Sequence, residues 1–151
     1  MTSKRAAALR WSLVVVWILF VWSRSLFDGP DSTAQSNVAV AIVRPLLVAL
    51  GVRDAALMSF LVRKAGHACE YAVLGGLLAW AGRAGDGRRT KLRAWAPLAL
   101  AVATASIDET IQLFVPGRSG ALRDVLIDCC GATVGFVILR CCAAARARHS
   151  R

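Results

Sequence analysis

Acidic side chains lie inside one of the most apolar parts of this chain, in residues 104–135. The chain as a whole is 57% hydrophobic with a mean hydropathy of +0.56, which is typical of segments that lie in a lipid bilayer. A charged group in hydrocarbon is destabilising and is kept mainly where it has a function. This stretch therefore predicts a membrane protein with a polar site among its helices.

The spacing within this stretch predicts two helices and a tight turn. At about 100° per residue, one helical stripe carries Thr104, Asp108 and Gln112, and Glu109 lies at its border. Pro116-Gly117 ends that helix, because proline lacks a backbone donor and glycine turns freely. The turn also allows the side chain of Arg118 to reach back towards Asp108.

The second helix is predicted to begin near Ser119, a residue suited to an N-cap. One face of this helix carries Asp124, Asp128, Gly131 and Gly135. Glycine at four-residue spacing allows another helix to approach closely.

The apolar segments predict an all-α fold, a polytopic membrane protein with a four-transmembrane-helix bundle. It forms a single domain over residues 1–151 with spans at approximately residues 9–26, 65–82, 94–115 and 121–142. Interfacial helices are expected in the long first outer connection. One covers residues 37–50, which are interrupted by Arg44-Pro45 and too short to span, and a second runs from Asp54 towards Arg63.

The basic residues predict the orientation. The N-terminal segment, residues 83–93 and the C-terminal tail together hold 12 of the 19 Lys and Arg residues. Under the positive-inside rule both termini are cytoplasmic and the long first connection faces outward. The net charge of +10 is explained in this way, and no nucleic-acid-binding motif accompanies it. The five cysteines lack a Cys-x-x-Cys pattern and are interpreted as small apolar residues rather than disulfides or zinc ligands.

This topology brings many polar side chains to one depth in the outer half of the bilayer. Interhelical packing explains Thr104, Tyr71 and Gln112 equally well, whereas five carboxylates beside one histidine favour a function. No catalytic residue, metal or cofactor is assigned. The predicted ligand-binding site consists of Lys64, His67, Glu70, Tyr71, Asp108, Glu109, Gln112, Arg118, Asp124 and Asp128.

The combined pattern covers three of the four predicted helices. It reads Lys64-x-x-His67-x-x-Glu70-Tyr71, then Asp108-Glu109-x-x-Gln112, then Pro116-Gly117-Arg118-x-Gly120-x-x-x-Asp124-x-x-x-Asp128-x-x-Gly131. The pattern resembles the VanZ-like family, whose members usually carry Asn at the position of Asp128. The resemblance implies a multi-pass protein of the bacterial inner (cytoplasmic) membrane. The family takes its name from a protein of teicoplanin resistance, and the resemblance implies no particular reaction.

Three functions are compatible with these residues. The first is binding of an envelope lipid, a lipid-linked cell-wall precursor or a lipoglycopeptide at an outer-leaflet site, contributing to teicoplanin-type glycopeptide resistance or envelope homeostasis. Arg118 and Lys64 would then contact phosphate. The second is an intramembrane enzyme, with His67 or Glu109 as a base, or with a divalent cation held by His67, Glu70, Asp108 and Asp124. The third is a structural or assembly role, with Gly131 and Gly135 forming a homo-oligomer contact. The sequence contains no nucleophile motif and no complete metal signature, which favours the first.

Overall fold

The computed structural model describes residues 3–26, 29–82, 91–118 and 120–149. These residues form five α-helices and contain no β-strand, which confirms the all-α class. The helices are α1 (Ser3–Ser25), α2 (Gly29–Ala49), α3 (Ala55–Ala81), α4 (Lys91–Leu113) and α5 (Leu122–His149). Most of the predicted basic loop, residues 83–90, and the predicted N-cap Ser119 lie outside the described residues.

Helix α3 corrects the predicted division of the long outer connection. It begins after Asp54, whose carboxylate accepts a hydrogen bond from the Leu57 backbone N–H at 2.7 Å. It then continues without a break for 27 residues. The predicted short helix from Asp54 and the predicted span at residues 65–82 are therefore one helix. Gly66 does not interrupt it, because its backbone does not adopt a positive φ.

Helix α2 is also longer than predicted. It covers 21 residues from Gly29 and runs through Pro45, whereas the predicted interfacial helix began at residue 37. Its apolar part, Asn37–Ala49, is too short to span a bilayer. Val38, Ile42 and Leu46 on this part are exposed, and the main packing partner of α2 is α3.

Helix α3 lies at the centre of the bundle and packs most extensively against α5. The glycines of α5 make this contact close. A Cβ atom on Gly131 or Gly135 would overlap the carbonyl oxygen of Ala68 or Ala72 on α3. The predicted close approach of another helix to these glycines is confirmed, and the approaching helix belongs to the same chain.

Two tryptophans attach α1 to the rest of the bundle. The Trp17 indole donates to the carbonyl oxygen of Glu70 on α3 at 2.9 Å, and the Trp22 indole donates to that of Thr104 on α4 at 3.2 Å. An apolar core of α1, α3, α4 and α5 surrounds these bonds. The C-terminal end of α1 therefore lies beside the polar segments of α3 and α4.

The bundle buries several charged side chains beside its apolar core and exposes many apolar side chains on its surface. Asp108 and Asp128 are buried, whereas Val16 on α1 and Ile138 on α5 are 61% and 57% exposed. Helices α1 and α5 are each long and apolar enough to cross a membrane. Buried charges together with a broadly apolar surface are unusual in a soluble protein and indicate a membrane protein. The predicted spans within α3 and α4 remain predictions.

Candidate binding site

Hydrogen bonds to the Glu109 carboxylate hold the turn between α4 and α5 against α4. The Ala121 backbone N–H donates to Glu109 Oε2 at 2.9 Å, and the Gln112 amide donates to Oε1 at 3.2 Å. Gly117 adopts a φ of 73°, and a Cβ on Gly120 would overlap the carbonyl oxygen of Glu109. The predicted end of the helix before Pro116-Gly117 is confirmed, since α4 ends at Leu113.

A polar cavity of about 220 Å³ opens beside this turn, between the N-terminal halves of α3 and α5. Half of the ten predicted site residues line it, from α3, α4, the turn and α5. The complete lining is Phe60, Arg63, Lys64, His67, Gln112, Gly117, Arg118, Ala121, Arg123 and Asp124. We refer to it below as the basic cavity.

The charge of this cavity is predominantly positive. Four basic side chains line it against one carboxylate, that of Asp124. Lys64 forms an ion pair with Asp124, and Arg123 Nε lies 3.8 Å from the same carboxylate. Both cations also lie near the Phe60 ring, at 5.7 Å and 5.3 Å from its centroid.

Arg118 contributes to this positive charge from the turn. Burial lowers the pKa of the Arg118 guanidinium, and the positive charge of Arg63 acts in the same direction. An arginine remains protonated under such conditions. Crowded cations of this kind favour an anion between them.

A second polar group lies deeper, where α3, α4 and α5 meet. His67 Nδ1 is 3.9 Å from Asp108 Oδ2 and 4.0 Å from Asp128 Oδ1. Both carboxylates are buried. Within the described residues, neither their oxygens nor His67 Nδ1 have a hydrogen-bond partner. The predicted reach of Arg118 to Asp108 therefore does not produce a hydrogen bond, and Arg118 lines the basic cavity. We call His67, Asp108 and Asp128 the buried triad.

The remaining predicted residues lie around these two groups. Glu70 forms an ion pair with Arg24 of α1, whose Nε lies 2.7 Å from Glu70 Oε1. The Gln112 amide also contacts α1, donating to Ser25 Oγ at 3.4 Å. Tyr71 is buried in the core, and its hydroxyl has no hydrogen-bond partner among the described residues. The four residues considered as cation ligands are consequently divided, because Glu70 and Asp124 each have a basic partner.

The site predicted from the sequence omits five residues of this region: Phe60, Arg63, Arg123, Arg24 and Ser25. Arg63 and Arg123 could have been found, because each is adjacent in sequence to a predicted site residue and begins an apolar segment. Arg24 and Ser25 are not adjacent in sequence to any predicted site residue. Their roles depend on the docking of α1, which brings residues about 45 to 90 positions apart into contact.

An apolar groove of about 560 Å³ runs along the outer surface between α3 and α5. Small and apolar side chains line most of it, and Arg123 belongs both to this groove and to the basic cavity. The groove lining is Ala68, Cys69, Ala72, Arg123, Leu126, Ile127, Cys130, Gly131 and Val134.

These features define an α-helical membrane protein with a polar site enclosed by an apolar bundle. The family model for VanZ/LLP1 matches residues 10–143, which is most of the chain. The chain therefore belongs to the VanZ/LLP1 family, as its motifs predicted. No curated protein and no solved structure matches it. Membership supports a VanZ-type membrane protein with a family link to glycopeptide resistance.

Proposed function

We propose that this protein binds the phosphate-bearing head of an envelope lipid, or of a lipid-linked cell-wall precursor, at the outer leaflet. Such binding would contribute to teicoplanin-type glycopeptide resistance or envelope homeostasis. The observation that carries the proposal is the basic cavity, in which Arg63, Lys64, Arg118 and Arg123 converge. A phosphate offers several acceptor oxygens and charge to such a set of donors, and arginine can contact it through two N–H groups at once.

The apolar groove supports a lipid rather than a free anion. It begins at Arg123, where it meets the basic cavity, and continues between α3 and α5 along small and apolar side chains. A lipid with its head between the arginines could lay an acyl or prenyl chain in this groove. A chain in this groove would remain in the apolar interior of the membrane, so binding of the head between the arginines would not require the chain to leave the bilayer.

The orientation of the chain belongs to the same proposal. We propose four spans, carried by α1, α3, α4 and α5, with both termini in the cytoplasm of a bacterial cell. In that arrangement α2, the C-terminal end of α1 and the turn between α4 and α5 are on the outer side. The basic cavity then opens where lipid-linked precursors and lipoglycopeptides meet.

Native mass spectrometry of the detergent-purified protein tests the binding. The probes are a polyprenyl phosphate, phosphatidylglycerol and an uncharged diacylglycerol. We expect the wild type to retain the two phosphate-bearing probes and to release diacylglycerol. Arg118→Gln should weaken retention roughly 10- to 100-fold, because one charge-assisted contact to phosphate is lost. Arg63→Gln should act in the same direction.

Arg53→Gln is the matched control. It removes the same charge from an exposed position between α2 and α3, outside the cavity, and should leave retention unchanged. Equal losses in Arg118→Gln and Arg53→Gln would mean that net charge alone attracts the lipid. That result, or equal retention of diacylglycerol, would refute a phosphate site in the cavity.

A second candidate function is an intramembrane enzyme acting on the same class of lipid. The buried triad supports it, because an imidazole facing two carboxylates is suited to move a proton. Incubation of the protein with the polyprenyl phosphate probe separates the two functions. More than one product molecule per protein, lost in His67→Gln, would establish turnover and replace the binding proposal.

A further inference from the structure

The buried triad brings one imidazole nitrogen and two carboxylates together from three different helices. The distances from His67 Nδ1 are 3.9 Å to Asp108 and 4.0 Å to Asp128, and one donor atom from each residue lies within 4.8 Å of the other two. Ligands at about 2.0–2.2 Å from a tetrahedral ion are separated from one another by about 3.4 Å. Closing the triad around one ion therefore requires the two His67 distances to shorten by about 0.5 Å and the distance between the carboxylates to shorten by at most about 1.4 Å.

The two buried carboxylates of the triad favour a cation that balances their negative charge. Asp108 and Asp128 are 0% and 1% exposed, and all four of their oxygens lack a hydrogen-bond partner within the described residues. Two such carboxylates in a bundle with an apolar surface are strongly destabilising when they are not neutralised. A divalent cation balances their two charges and occupies their lone pairs, with neutral His67 as the third ligand.

We propose that His67, Asp108 and Asp128 bind a divalent transition-metal ion of the Zn²⁺ or Mn²⁺ type. An imidazole nitrogen favours such ions over Mg²⁺ and Ca²⁺, which prefer oxygen ligands only. Three protein ligands leave a fourth position of a tetrahedral ion open, as in metal centres that bind water or substrate. Glu70 and Asp124 are not ligands, because each faces a basic partner at ion-pair distance.

An ion can reach this site through the basic cavity. His67 lines that cavity and also belongs to the triad, so the two features are contiguous. The arginines at the cavity repel a cation and should slow its entry without removing the equilibrium affinity of the carboxylates. The metal site does not depend on which lipid, if any, occupies the cavity.

Zn²⁺ binding is best measured on a variant with all five cysteines replaced by alanine, so that thiols cannot contribute. After treatment with a chelator and its removal, the detergent-purified protein is titrated with ZnCl₂ by calorimetry, and bound zinc is measured by mass spectrometry. We expect one Zn²⁺ per chain and much weaker binding of Mg²⁺. Removing a residue that only hydrogen-bonds to a metal ligand weakens metal binding roughly 10- to 100-fold. His67→Gln, Asp108→Asn and Asp128→Asn should each exceed that loss.

Asp54→Asn is the matched control for the carboxylate variants. Its side chain is exposed at the start of α3, and asparagine retains the helix cap. Zn²⁺ binding should be unchanged in this variant. It should also survive in Arg118→Gln, so failure of lipid binding and failure of metal binding give different results.

The Co²⁺ spectrum of the unmutated chain provides a test that does not require any variant to fold. Ligation by His67 and two carboxylates should give visible d–d bands of a low-symmetry site without a thiolate charge-transfer band. Absence of these d–d bands from the folded wild type would overturn the assignment. So would failure of the folded wild type to bind one ion, or undiminished Zn²⁺ binding in the Asp108→Asn, Asp128→Asn double variant.

Discussion

At the scale of single residues, the carboxylates of this region differ in the kind of partner that they have. Asp124 faces Lys64, and Glu70 faces Arg24. Glu109 accepts a backbone N–H and a side-chain amide. Asp108 and Asp128 lie at longer range from the imidazole of His67, at 3.9 Å and 4.0 Å from its Nδ1. Glu70, Glu109 and Asp124 therefore have direct polar partners, whereas the oxygens of Asp108 and Asp128 have no hydrogen-bond partner within the described residues.

The Lys64–Asp124 pair gives a prediction about stability. The two side chains are only 17% and 7% exposed, so Lys64→Met leaves a buried carboxylate with Arg123 at 3.8 Å as its nearest cation. We expect a loss of roughly 3 kcal/mol in the free energy of unfolding. The double variant Lys64→Met, Asp124→Leu should lose less than Lys64→Met alone, because no carboxylate remains unpaired. Denaturant unfolding in mixed micelles measures both, and a larger loss in the double variant would show that the pair does not account for the effect.

Sequence reasoning identified the buried polar residues but not all of their partners. Burial of Asp108, Glu109 and Gln112 follows from the four-residue spacing of one helical stripe, which is local information. The separation of Glu70 from the other carboxylates could not be predicted. It depends on Arg24, whose position is set by the docking of α1 through its tryptophans.

At the scale of helices, the contact between α3 and α5 determines where the site forms. The two backbones approach closely at Gly131, which is buried against Ala68, one residue beyond His67 in the chain. Asp128 lies one turn before Gly131 on α5 and is therefore brought to the level of His67. A change in this packing should alter both the stability of the bundle and the geometry of the triad.

Gly131→Ala tests that packing. Its methyl group would overlap the Ala68 carbonyl oxygen, so we expect a net loss of roughly 1–3 kcal/mol in the free energy of unfolding, together with weaker Zn²⁺ binding. Gly66→Ala is the matched control on α3. It meets nothing within 4 Å, and it should be neutral or stabilising by up to about 1 kcal/mol because alanine favours a helix. Similar effects of the two substitutions on unfolding in mixed micelles would contradict the close approach.

The sequence predicted which segments are helical better than it predicted where each helix begins and ends. The predicted division of α3 near Arg63 was wrong, because charged side chains there do not interrupt the backbone hydrogen bonds of the helix. Pro116-Gly117 was a reliable signal, because a missing donor and a positive φ act on the backbone itself. The N-terminal extension of α2 from Gly29 had no apolar periodicity from which it could be predicted.

At the scale of the whole molecule, the bundle places its polar site at one end. Lys64 lies nine residues into α3, about 14 Å from the start of that helix. The turn between α4 and α5 and the C-terminal end of α1 lie at the same end, as the contacts of Glu109 with Ala121 and of Gln112 with Ser25 indicate. Whichever side of the membrane holds the connection between α2 and α3 therefore also holds the basic cavity.

The last prediction is that this connection is exported. The segments predicted to be cytoplasmic carry 12 of the 19 basic residues, and retention of such residues on the cytoplasmic side orients bacterial membrane proteins. Reporter fusions after Val52 should give an exported signal, and fusions after Arg89 and Arg151 should give cytoplasmic signals. Replacing Arg83, Arg88, Arg89 and Arg93 by Gln should weaken this orientation, whereas Arg44→Gln, which removes a basic residue from α2, should not. A cytoplasmic signal after Val52 would place the basic cavity on the inner side, where a cytosolic anion would become the better ligand and an outer-leaflet lipid would be excluded.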